Sequence, residues 1–177
     1  GLVEAGRDEE AVAVLLRAQL IAPKEHRSWL NLAMILDRRG EKSRALAMLN
    51  EAAGIAPAEA RIHNHAGSLL HDLGRLEEAR VALRRAIALK PEYAEPWVNF
   101  GVIYAGEGDL PAAIAAFERA VAINERVCGR EDPSVAIWIN NLGTVLHDLG
   151  DLEGARAAYE RALAIWRAAY GEEHEQV

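Results

Sequence analysis

Residues 71–86 read HDLGRLEEARVALRRA, and residues 147–162 read HDLGDLEGARAAYERA. Eleven of these sixteen positions are identical, although one copy starts at His71 and the other only at His147. A chain that repeats itself at long range is built from one supersecondary unit used several times, so the period has to be found before any local structure is assigned.

One step, that from Trp29 to His63, recurs over most of the chain. Trp29, His63 and Trp97 fall in register, as do Ala33, Gly67 and Gly101, and Leu36, Leu70 and Tyr104. Gly40, Gly74 and Gly108 follow, then Ala45, Ala79 and Ala113, Leu49, Leu83 and Phe117, and Ala52, Ala86 and Ala120. Pro57 and Pro91 close two units, and Pro23 closes an earlier one in which Gly6, Ala11, Leu15 and Ala18 keep register. Each unit predicts a helical hairpin. A first helix carries large apolar residues and one small one, and Gly ends it because Gly accepts left-handed dihedrals. A second helix carries Ala, a bulky residue four later and Ala three after that, so two helices approach closely with the bulky side chain filling the gap. Proline then stops the second helix. One hairpin cannot bury its apolar face alone, so hairpins stack.

The last step is longer. It runs from Gly101 to Gly143, where the step before it ran from Gly67 to Gly101. The offset between His71 and His147 is therefore one short step and one long one. The added residues fall around NERVCGREDPSVA, residues 124–136. The second helix is expected to run on past Ala120, turn at Gly129 and restart after Pro133. Gly171 and Val177 sit one long step beyond Gly129 and Val135, as if another repeat began.

The pattern Trp97, Phe100, Gly101, Tyr104, Ala113, Phe117 and Ala120 resembles the tetratricopeptide repeat family, over nearly the whole chain. The Gly-x-x-Asp-Pro-x-Val stretch with Asn140-Asn141-Leu142 is similar to the longer repeat subtype of kinesin light chains, common also in bacterial regulatory proteins. The resemblance implies an all-α, right-handed superhelical solenoid of antiparallel helix pairs. Its expected divisions are a partial repeat at 1–25, repeats at 26–59 and 60–93, and extended repeats at 94–135 and 136–177. The first helix is expected to be entered midway, at Leu2 and Gly6, and neither end has a polar capping helix, so an excerpt of a longer protein is expected.

Composition narrows the function. A net charge of −7 argues against nucleic-acid binding, which needs a basic footprint. No apolar run reaches membrane-spanning length, and the N-terminus has no signal-peptide core. The single cysteine, Cys128, forms no internal disulfide, which fits a reducing, cytoplasmic setting. Ala richness and an excess of Arg over Lys suggest a GC-rich bacterial genome. There is no glycine-rich phosphate loop and no Ser–His–Asp arrangement, so an enzyme is not expected, nor a cofactor. His63, His65 and His71 lie two and six apart, whereas helical metal pairs need three or four, so no metal site is expected.

The resemblance places first helices along a concave groove. Two residues after each Trp29-type position stand Asn31, His65, Asn99 and Asn141. A carboxamide offers both a donor and an acceptor to an extended peptide backbone, and such a row resembles the asparagine ladder of several family members. Met34, Ser68, Val102 and Thr144 follow three residues later as side-chain pockets, with Arg27 and Arg61 near the mouth. Asp37, Asp72 and Asp148, with His71 and His147, give mixed charge further along. The carboxylate-clamp subtype needs Lys just before the ladder, where this chain has Leu30, Asn64, Val98 and Asn140. The expected function is a scaffold that binds a protein or peptide segment. The alternative is a sensor or autoinhibitory arm of a larger bacterial signalling ATPase or protease, and end-to-end self-association is a third possibility.

Overall fold

A computed structural model describes the backbone of residues 2–171 and the side chains of residues 9–171. Among the described residues it consists of nine α-helices and no strand. They fall into two compact units, Gly1–Leu89 and Lys90–Val177. The first holds α1 (Leu2–Ile21), α2 (His26–Arg38), α3 (Lys42–Ile55), α4 (Ala60–Asp72) and α5 (Leu76–Leu89). The second holds α6 (Glu95–Gly106), α7 (Leu110–Cys128), α8 (Pro133–Leu149) and α9 (Leu152–Tyr170). Within each unit every helix packs on the next in the chain. No described helix is long and apolar enough to cross a membrane.

The hairpin turns follow from the glycines. Gly40, Gly74, Gly108 and Gly150 have φ between 74° and 90°, the left-handed region. The residue after each glycine donates its backbone N–H to a carbonyl five residues back: Glu41 to Leu36, Arg75 to Leu70, Asp109 to Tyr104 and Asp151 to Leu146. This is the closure of a helix C-terminus that satisfies its orphan carbonyls. Asp109 and Asp151 then start the next helix, each accepting from a backbone N–H three residues on, Ala112 at 3.1 Å and Gly154 at 3.0 Å.

The small–bulky pattern closes the hairpins. Ala45, Leu49 and Ala52, then Ala79, Leu83 and Ala86, then Ala113, Phe117 and Ala120 are all buried. A Cβ added at Gly67 would lie 2.6 Å from the Leu83 side chain, and one at Gly101 2.7 Å from the Phe117 ring. The Leu83 and Phe117 side chains therefore occupy the space a Cβ would take, which only glycine leaves open.

At the start of the chain the expectation is corrected. α1 runs unbroken from Leu2 to Ile21, and Gly6, read as a turn glycine, lies inside it. An interior Gly costs a helix only about 1 kcal/mol relative to Ala, so a helix can run through it. In α1 the signature residues Ala11, Leu15 and Ala18 are half-buried, unlike their counterparts in α3, α5 and α7.

The long repeat behaves as its spacing predicts. α7 and α9 have 19 residues each, against 14 for α3 and α5. Gly129, at φ 101°, ends α7, and Pro133 takes the first turn of α8, where its missing N–H leaves no bond unmade. The turn is clasped by side chains. The buried Asn124 donates from Nδ2 to Ser134 Oγ at 2.6 Å, and the Ser134 hydroxyl donates to Asp132, which also accepts the Ser134 N–H. Trp138 and Trp166 pack against Val121, Val135, Ile139 and Ile165, filling the space between the longer helices. Gly171 ends α9 with φ 76°, as Gly129 ends α7. The repeat start expected at Val177 lies outside the described residues.

Candidate functional site

In the first unit the candidate residues lie on α2 and α4. Glu25 and Glu59 each accept the backbone N–H two residues on, from Arg27 and Arg61, at 3.2 and 3.3 Å. That places both arginines in the first helical turn with exposed side chains. One turn later come Asn31, exposed, and His65, half-buried. Met34 is 41% exposed, a large apolar side chain turned to water, and Ser68 is half-buried. Asn31 and Met34 also line a hollow of about 630 Å3 whose far wall is Ala11, Val14 and Leu15 of α1.

The electrostatics of His65 show which groups share its surroundings. Burial lowers its pKa first, the Arg61 guanidinium lowers it further, and Asp37 on α2 opposes both. Arg61, His65 and Asp37 therefore act on one another across α2 and α4. His65 is held in its neutral form, with one ring nitrogen a donor and the other an acceptor, the pair of functions a carboxamide has.

In the second unit Asn99 on α6 and Asn141 on α8 are half-buried, and Val102 is 40% exposed. Thr144 is exposed, but its hydroxyl is engaged within the chain. It donates to the Asn140 carbonyl at 3.2 Å and accepts from the Tyr159 hydroxyl of α9 at 3.3 Å. Thr144 thus joins α8 to α9 with the atom that a pocket would use. Of the positions preceding the ladder, Leu30 and Asn64 are buried, so they present little to solvent.

Two features escape a reading of residues alone. His63 stands where Trp29 stands one repeat earlier, and it keeps the same hydrogen bond. Trp29 Nε1 donates to the Pro23 carbonyl at 3.2 Å, and His63 Nε2 lies 2.9 Å from the Pro57 carbonyl. The available signal was that Pro23 and Pro57 are separated by the same step as Trp29 and His63. Asp72, read with the groove charges, is instead paired with Lys42 of α3, whose ammonium holds the carboxyl below its usual range. Among the described residues no three His, Cys, Asp or Glu side chains converge on a point that would hold a metal ion.

Models described as tetratricopeptide repeat match residues 2–60 and, in two overlapping stretches, 92–168 and 134–177. A TPR repeat model matches 67–108 between them. The chain belongs to the tetratricopeptide repeat family. Solved structures of such helical repeats agree. BtubC (BKLC) from P. vanneervenii is 26% identical with a TM-score of 0.81, over 98% of this chain and 78% of that one. MamA 41-end from Desulfovibrio magneticus RS-1 is 19% identical with a TM-score of 0.73, over 95% and 90%. The APC/C hetero-tetramer Cut9-Hcn1 is 20% identical with a TM-score of 0.79, over 91% of this chain and 30% of that one. No curated protein matches the chain significantly. Tetratricopeptide repeats generally mediate protein–protein interactions, and the chain carries that scaffold.

Proposed function

We propose that the chain is a protein-interaction scaffold whose first helices bind an extended segment of a partner, with Asn31 and His65 serving in one unit and Asn99 and Asn141 in the other. One observation carries the reading. Four residues able to donate and accept hydrogen bonds recur at one register position, and each keeps part of its side chain in water. Each bond to a partner's backbone contributes about 0.5–1.5 kcal/mol net, so several are needed for a stable grip. Beside the polar row stand Met34 and Ser68 in the first unit and Val102 and the Thr144 methyl in the second, and Arg27 and Arg61 favour an acidic residue on the partner.

The test is a paired capture from lysate of the source organism. One bait is the chain; the other carries Asn31→Ala, Asn99→Ala and Asn141→Ala, with helix content checked by circular dichroism. A protein held only by the unaltered bait supports the reading. Equal capture by both, or loss of helix in the variant, assigns the asparagines to the fold.

A further inference from the structure

The first unit holds a hollow of about 640 Å3 between α3, α4 and α5. Its walls include Leu46, Leu49, Ile62 and Leu70, with Val81 and Arg85 at the side. Val81 is 65% exposed, an aliphatic side chain left largely in water. None of the ladder residues lines this hollow.

The second unit has the same hollow at the equivalent place in its own repeat, about 490 Å3 between α7, α8 and α9. There Ile139, Leu146, Ala157 and Arg161 take the places of His63, Leu70, Val81 and Arg85, by the offset that carries His71 to His147. The two copies differ in charge. Arg161 is paired with Glu125, which stands where the first unit has Pro57, by the offset that carries Ala45 to Ala113. Proline offers no carboxylate, so the first unit lacks the matching anion. On its own helix Arg85 has Val81, Ala82, Ala88 and Leu89 three and four positions away, none of them acidic. The two carboxylates on this rim are already engaged, Glu78 with Arg75 through two bonds of 2.7 Å and Glu77 with Arg80 at 3.3 Å. Among the described residues Arg85 makes no hydrogen bond or ion pair.

From this asymmetry we infer that the α3–α4–α5 hollow is a second docking site, and that its occupant is a segment of another protein carrying a large apolar side chain beside an Asp or Glu. The apolar side chain enters between α3 and α5 and covers Val81. The carboxylate meets Arg85, supplying from the partner what Glu125 supplies to Arg161 within the chain. A hollow of this volume lies in the range of sites that hold apolar groups oriented by a few polar ones. The charge pair, at the rim, sets register and partner choice more than it adds affinity.

The experiment is a selection of random twelve-residue peptides, displayed on phage, against the intact chain, followed by fluorescence anisotropy with the enriched peptides. The expected result is enrichment of sequences that place Leu, Met, Phe or Trp within four positions of Asp or Glu. Arg85→Glu then weakens their binding by about tenfold, and a peptide with Lys in place of the acid recovers on that variant. Val81→Asp weakens binding as well. Both positions are exposed, and circular dichroism verifies the fold of each variant. The inference is overturned if no such motif is enriched, or if enriched peptides ignore Arg85→Glu and Val81→Asp. Peptides that respond instead to the asparagine triple variant overturn this site while supporting the first-helix row, so the two readings fail separately.

Discussion

At the scale of single residues, the glycine that faces the bulky side chain makes a graded prediction. Gly101→Ala forces a methyl group into the buried Phe117 ring, and Gly67→Ala into Leu83, whose branched end moves more easily. Gly143→Ala meets Tyr159, a ring partly in water that can swing outward. Overpacking costs about 1–3 kcal/mol, so urea unfolding should rank the losses Gly101, then Gly67, then Gly143. Equal losses would show that backbone entropy, not the facing ring, governs these sites. His65 makes a second prediction. Burial and then Arg61 depress its pKa against the pull of Asp37, so below about pH 6.5 the unfolded chain takes up a proton that the folded chain refuses. The stability that neutral His65 contributes is present above that pH and falls away as acid is added. His65→Asn should flatten the slope of unfolding free energy across that range, read from chemical denaturation at a series of pH values on either side of it.

At the scale of elements, the long turn depends on the clasp between Asn124, Ser134 and Asp132. Asn124 is buried in the last turns of α7, and its amide reaches the start of α8. Asn124→Leu leaves the Ser134 hydroxyl without this donor and puts a branched group against a polar turn. A loss of about 0.5–1.5 kcal/mol is expected, the net contribution of one hydrogen bond, since the Ser134 hydroxyl keeps its bond to Asp132. Trp138 and Trp166, packed where α8 and α9 meet, report that transition by fluorescence. A variant as stable as the parent would move the clasp from cause to consequence of the turn. Part of this element was legible beforehand, since Gly129 and Pro133 mark the stop and the restart. The clasp was not, because the pairing of Asn124 and Ser134 depends on how the turn brings them face to face.

At the scale of the whole molecule, repeat proteins hold together by neighbour contacts, so damage stays near where it is made. Ile139 is buried in the cluster of α8, α9 and the end of α7. Ile139→Ala should cost about 2–5 kcal/mol in the second unit. It should shift the fluorescence transition of Trp97, Trp138 and Trp166 further than that of Trp29, which lies in the first unit, when each tryptophan is followed in a background where the others are replaced by Phe. Coincident shifts at all four would show one cooperative block. The same locality bears on binding. The asparagine triple variant and Arg85→Glu should each remove one class of ligand and leave the other.

Much of the architecture was determined by the sequence alone, because it rests on local chemistry. A turn glycine, a stopping proline and a small residue opposite a bulky one act within one hairpin, and repetition made the signal plain. The short and long periods therefore announced the helix pairs and the longer α7 and α9. The tertiary structure decided what depends on neighbours distant in sequence. It showed that Gly6 lies within an unbroken helix, that Asp72 belongs to Lys42, that the Thr144 hydroxyl is held by Tyr159, and that Arg161 has an anion where Arg85 has none. Exposure and pairing are properties of the packed chain. The residues of a repeat predict where a side chain stands, and only the fold determines what stands across from it.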